Sequence, residues 1–169
     1  MPLTYDAKAN LFSNGDSFID WFIYEDPDTA FVDGKPLTEE HFSAVVTSIH
    51  SDTLMLNVRR FAEVYLPVNL PPSPFTVRQL LGTIYAFYTS PIRPEMLLKT
   101  MDTESPAPTD KRFSEVVKRM CAGEKPKWID LMGDVLPIFE SGQRRLSLLC
   151  SGRVCMESIS NSGVIGLGS

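Results

Sequence analysis

The residues best suited to covalent chemistry are two cysteines and two histidines: Cys150, Cys155, His41 and His50. A thiolate nucleophile needs a base within hydrogen-bond reach and an electropositive, partly exposed setting. Arg144, Arg145 and Arg153 would supply that setting. The competing reading is structural. Cys150 continues the alternation of Leu146 and Leu148, and a cysteine on the inward face of a strand behaves as a small hydrophobe. The pattern favours that second reading. As zinc ligands the four fare worse, because C-x4-C and H-x8-H do not match structural zinc spacings. Paired carboxylates, Asp26 with Asp28 and Glu39 with Glu40, could hold a hard cation or do acid–base work. They fall in a turn and at a helix start, where each has an ordinary local role. No G-x-G-x-x-G, Walker loop, G-x-S-x-G, H-E-x-x-H or C-x-x-C occurs. No catalytic residue, metal or cofactor is assigned. A small cysteine-dependent enzyme using Cys150 or Cys155 with a histidine is the alternative.

Binding is the better expectation. The first 58 residues carry ten acidic side chains against Lys8 and Lys35, a net of −8. The other 111 residues carry eleven acids and fourteen bases. An acidic front could orient a basic partner, although a solvated acidic face is the plainer outcome. Asp26 and Asp28 are the front's candidate partner-binding residues. Trp21 is expected in the core. Trp128, flanked by Lys125 and Lys127, is the surface candidate, since exposed aromatics anchor interfaces. Lys111, Arg112, Lys118, Arg119, Lys125 and Lys127 form the basic set that a nucleic-acid-associated protein would use. Helical spacing places Lys111, Lys118 and Arg119 near the solvent face, so a plain solvated surface is the better reading and nucleic acid is not the expected partner. A protein partner or a second copy of the chain is.

The elements that must position these residues are organised around 74–101. Thr76 and Gln79 form a capping box, with Phe75 and Leu80 at the staple positions. Val77, Leu80, Leu81, Ile84, Phe87 and Tyr88 recur on one helical stripe. Ser90-Pro91 ends that helix, and Pro94 opens a second short one. Gly82 interrupts the helix, either for a close backbone approach or as a tolerated cost.

Around this helix the reading is α+β: a mostly antiparallel sheet packed on the capped helix and on two or three others. Residues 1–12 are expected to be a loosely ordered arm. Strands are predicted at 17–24, 29–32, 53–58, 61–68, 135–139, 146–150 and 153–159, with 163–169 a last edge strand or a tail. Asp33-Gly34 is a tight-turn signal. Thr38 should cap a helix whose stripe is Phe42, Val45, Val46 and Ile49. Thr109 should cap another, with Phe113, Val116, Val117, Met120 and Cys121 inward and Gly123 as its stop. Residues 102–110 read as a surface linker loop.

With 169 residues, 43% of them apolar, the chain is long enough for one core, so 1–169 is read as a single domain. Three cysteines with no secretory signal ahead of them fit a reduced intracellular setting. The apolar runs are too short to span a bilayer, so no membrane partner is expected. Residues 75–92 and Phe139-Glu140 before a terminal hairpin resemble uncharacterised short proteins of large nucleocytoplasmic DNA viruses of amoebae, the marseillevirus and mimivirus group. The resemblance implies a viral protein acting in the host cytoplasm, nucleus or viral factory, or in the virion. It implies a role in virion assembly or host-factor binding rather than catalysis.

Overall fold

The chain is described by a computed structural model over residues 2–23, 25–58, 65–93, 95–96, 111–132 and 155–168. Within these lie ten short strands and three α-helices, and the fold is α+β. The longest helix, α2 (Val77–Tyr88), has the predicted capping box. The Gln79 N–H donates to Thr76 Oγ1 at 3.3 Å and the Thr76 N–H donates to Gln79 Oε1 at 2.9 Å. All six residues of its stripe are buried. Burial of a leucine at this depth is worth about 2–5 kcal/mol against alanine. The helix enters antiparallel to nearby backbone, since Val46 N–H donates to Phe75 O and Val77 N–H to Ala44 O, both at 2.9 Å. At the far end the buried Tyr88 hydroxyl donates to Asn57 O at 2.7 Å, and burial pushes its pKa upward. No backbone or side chain crowds Gly82 among the described residues, so the glycine is tolerated rather than required.

The strands form four small sheets. β1 (Thr4–Asp6) lies between β2 (Leu11–Phe12), antiparallel, and β6 (Val45–Thr47), parallel. β3 (Ile19–Asp20), β4 (Phe31–Val32) and β5 (Lys35–Pro36) form an antiparallel meander. β7 (Thr53–Asn57) pairs with β8 (Tyr65–Asn69), and β9 (Cys155–Ile159) pairs with β10 (Ile165–Gly168). The C-terminal hairpin is the seam that joins the rest. Ile159 N–H donates to Ala7 O at 3.0 Å, Met156 N–H to Trp21 O at 3.3 Å, and Met55 N–H to Gly163 O at 2.8 Å.

Several expectations change. Of the loose arm expected at 1–12, residues 2–12 are held by the fold instead, because Leu3, Tyr5, Ala7, Asn10 and Phe12 are all buried. Leu3, Tyr5 and Ala7 recur with the two-residue period of a strand with one face inward. The helix capped by Thr38, α1 (Glu39–Phe42), is only four residues long, and Val45 to Thr47 form a strand instead. Val45, Val46 and Thr47 are β-branched, which favours a pleated setting over a second helical turn. Helix α3 (Lys111–Cys121) turns Val116 inward, leaves Cys121 exposed rather than buried, and is followed by Gly123 at φ 87°. The Asp33-Gly34 signal holds: φ values of 49° and 75° make a two-residue turn between β4 and β5. Pro94, 97–110 and the strands predicted at 135–150 lie outside the described residues.

Candidate functional site

The N-terminal strands carry the least ordinary local structure. Asn10 and Phe18 both lie in the left-handed region, at φ 51° and 61°. Asparagine tolerates that conformation because its short side chain can bond locally. For phenylalanine it costs on the order of 1–3 kcal/mol and persists only where the surroundings impose it. Here Asn10 imposes it. Its carbonyl accepts from Phe18 N–H at 2.9 Å, and its side-chain Oδ1 accepts from Ile19 N–H at 2.9 Å. The same Oδ1 takes the Tyr5 hydroxyl at 2.7 Å, and Nδ2 donates to Glu157 O at 2.8 Å. The buried amide thus ties β1, β3 and β9 together. Burial raises the Tyr5 pKa, and the nearby Asp6 charge adds to the rise.

This clamp leaves Phe18 at the surface, 63% exposed, and the other exposed large apolar side chains among the described residues are Leu11 at 41% and Phe31 at 42%. Leu11 is bridged to Ser17, the neighbour of Phe18. Phe31 stands opposite Asp20, while the adjoining pair Ile19 and Val32 faces the core. Side chains alternate across a strand, so Asp20 and Phe31 share the outward face.

The turn holding Phe18 is pinned from both sides. Asp33 accepts from Ser17 N–H at 3.1 Å and from its hydroxyl at 3.4 Å. Asp16 accepts from Asn14 Nδ2 at 2.9 Å and from His41 Nε2 at 2.7 Å. His41 occupies the position of a capping-box glutamate. Its Nδ1 accepts from Thr38 N–H at 3.0 Å and lies 2.9 Å from Thr38 Oγ1. That acceptor role at Nδ1 leaves the proton on Nε2, facing Asp16. The His41 hydrogen bond, then that of Asn14, holds the Asp16 carboxyl below its ordinary range. Hydroxyl, imidazole and carboxylate stand in line as in a nucleophile relay. The Thr38 N–H on Nδ1 makes this a cap instead, since it occupies the lone pair that would take a hydroxyl proton.

The sequence candidates fare unevenly. Trp128 is not a surface anchor: it is 1% exposed and stacks on Phe87 with centroids 5.8 Å apart and planes 5° from parallel. The segment before it runs beside the end of α2, with Ile92 N–H donating to Pro126 O at 2.6 Å. Lys125, Pro126, Lys127 and Trp128 therefore alternate out and in, and the two lysines are exposed. Asp26 and Asp28 are also exposed. Asp26 caps the 3₁₀ turn Pro27–Thr29, and Asp28 pairs with Arg78 at 2.9 Å. Arg78 also reaches Glu39 at 2.6 Å and lies over the Phe42 ring at 4.2 Å. Lys118 and Arg119 are exposed on α3, where Arg119 is paired with Glu124 at 2.8 Å. His41 cannot serve a cysteine as base while both ring nitrogens are engaged, and Cys155 is half-buried in β9. His50 is exposed, and Cys150 lies outside the described residues, as do the Lys111 and Arg112 side chains. Among the described residues no helix is long and apolar enough to cross a membrane.

Asn10, Phe18 and His41's capping role are the features that sequence reasoning missed. Only the last had a local signal, a Thr-x-x-His in place of Thr-x-x-Glu. In comparisons with known proteins, no family model, no curated protein and no solved structure matches the chain.

Proposed function

We propose that this chain is a non-enzymatic protein-interaction module that docks through its acidic N-terminal face. The observation that carries the reading is Phe18, a large aromatic 63% exposed and held at φ 61°. Such a residue contributes little burial to the fold and adds backbone strain, so its presence is accounted for by a contact outside the chain. The acidic residues around it favour a protein over a nucleic acid as the partner. The resemblance of residues 75–92 would set this activity in virion assembly or host-factor binding.

A photo-crosslinking amino acid at position 18, with a control at position 118, tests the reading in the native cell. Light scattering over a concentration series reads self-association in parallel. An adduct from position 18 and none from 118, or a self-association lost in Phe18→Asn, supports the module. A monomer at every concentration with no adduct from position 18 overturns it.

A further inference from the structure

We infer, resting on that reading, that the Leu11, Phe18 and Phe31 cluster receives a cationic amphipathic segment of a partner protein. The apolar part of the argument is topological. The bridge from Leu11 to Ser17 and the cross-strand pair of Asp20 with Phe31 bring the three exposed side chains to one stretch of paired backbone. Phe18 lies in the chain between Ser17 and Asp20, the residues paired with the other two. The clamp from Asn10 fixes its backbone at both Phe18 and Ile19 before any partner arrives, which lowers the ordering cost of docking.

Charge selects the occupant. Asp20 stands directly across from Phe31, is exposed, and makes no ion pair with any described residue. Asp33 flanks Phe18 through Ser17. Among the described residues Lys35, the neighbour of Pro36 across from Phe31, is a base close to this stretch, and its charge is also felt at Asp16. An apolar knob with carboxylates beside it fits a segment that alternates apolar side chains with lysine or arginine. An anionic membrane surface and a phosphate backbone are both repelled by the same carboxylates.

Three labelled sixteen-residue peptides test this by fluorescence anisotropy on the full chain: an amphipathic Lys/Leu helix, the same pattern with Glu for Lys, and the same with Ser for Leu. Wild type should bind the Lys/Leu probe saturably, with affinity falling as salt rises. Phe18→Asn and Asp20→Lys should each weaken it tenfold or more, and the Glu/Leu and Lys/Ser probes should bind at least tenfold more weakly. Asp20→Lys changes an exposed strand position, so it tests the charge half of the inference independently of Phe18→Asn. Equal affinity for wild type and both variants overturns the inference, as does equal binding of Lys/Ser and Lys/Leu. A Phe18-dependent dimer that the Lys/Leu probe does not disturb overturns the cationic occupant and leaves the interaction module standing. A monomer that binds none of the probes and gives no adduct from position 18 removes both.

Discussion

Asn10 and Phe18 face one another with left-handed backbones, joined by a 2.9 Å hydrogen bond from the Phe18 N–H to the Asn10 carbonyl. One of the two is suited to that conformation and buried; the other is unsuited and exposed. The asymmetry separates a residue whose side chain the fold buries from one whose side chain it leaves in solvent.

Asn10→Ala should be among the most damaging single changes in the chain. It leaves the Tyr5 hydroxyl and Ile19 N–H without their acceptor and puts a β-carbon with no local bonding in a left-handed position. Each stranded buried donor costs about 1–3 kcal/mol. A urea melt should show a loss of about 3 kcal/mol or more, and a loss below about 1 kcal/mol would remove Asn10 from its central role.

The Asp16–His41 contact predicts a particular pH dependence. Asp16 has its folded-state pKa lowered, so its stabilising effect is full above the unfolded value of about 3.9 and is lost as pH falls through the folded value. The stability difference between wild type and Asp16→Asn should therefore shrink between about pH 5 and pH 2. A difference that grows in that window would contradict the assigned direction.

Two glycines should respond in opposite senses. Gly82 lies in the α2 interior with open space where a β-carbon would stand, so Gly82→Ala should stabilise by about 0.5–1 kcal/mol. Gly163, at φ 84°, is packed so that a β-carbon would clash with the Thr53 carbonyl at the seam between β7 and the C-terminal hairpin. Gly163→Ala should destabilise by about 2 kcal/mol or more. Thermal melts of both variants check the pair.

The flat stack of Trp128 on Phe87 fastens the segment after α3 to the end of α2. Trp128→Ala should cost about 3–5 kcal/mol, as a fully buried aromatic does. A silent melt would return Trp128 to the surface role its lysine neighbours suggest.

What could be read in advance follows from how local each signal is. The α2 helix was legible because its cap, staple and stripe all lie within fourteen residues, 75–88. The Asp33-Gly34 turn was legible for the same reason. The stripe Phe42, Val45, Val46 and Ile49 misled, because the helix ends at Phe42 and the β-branched run Val45–Thr47 forms a strand in which Val46 is the buried position. Trp128 misled because flanking lysines report the outward positions of an alternating segment and say nothing of the inward ones. Leu3, Tyr5 and Ala7 did show a strand period, but the element is too short to stand out without its partners. Phe18 was invisible, since no side-chain pattern announces a positive φ in a non-glycine residue. The Asn10 clamp was equally hidden, because one of its partners lies 147 residues away.

The central claim is that Phe18 belongs to a docking surface and not to the fold. Its most direct test is the urea-unfolding midpoint of Phe18→Asn against wild type, since asparagine accepts the left-handed backbone at lower cost. The account predicts stability equal to wild type or up to about 1 kcal/mol higher. A loss of more than about 1 kcal/mol would show that the exposed ring is needed by the fold, and would contradict it.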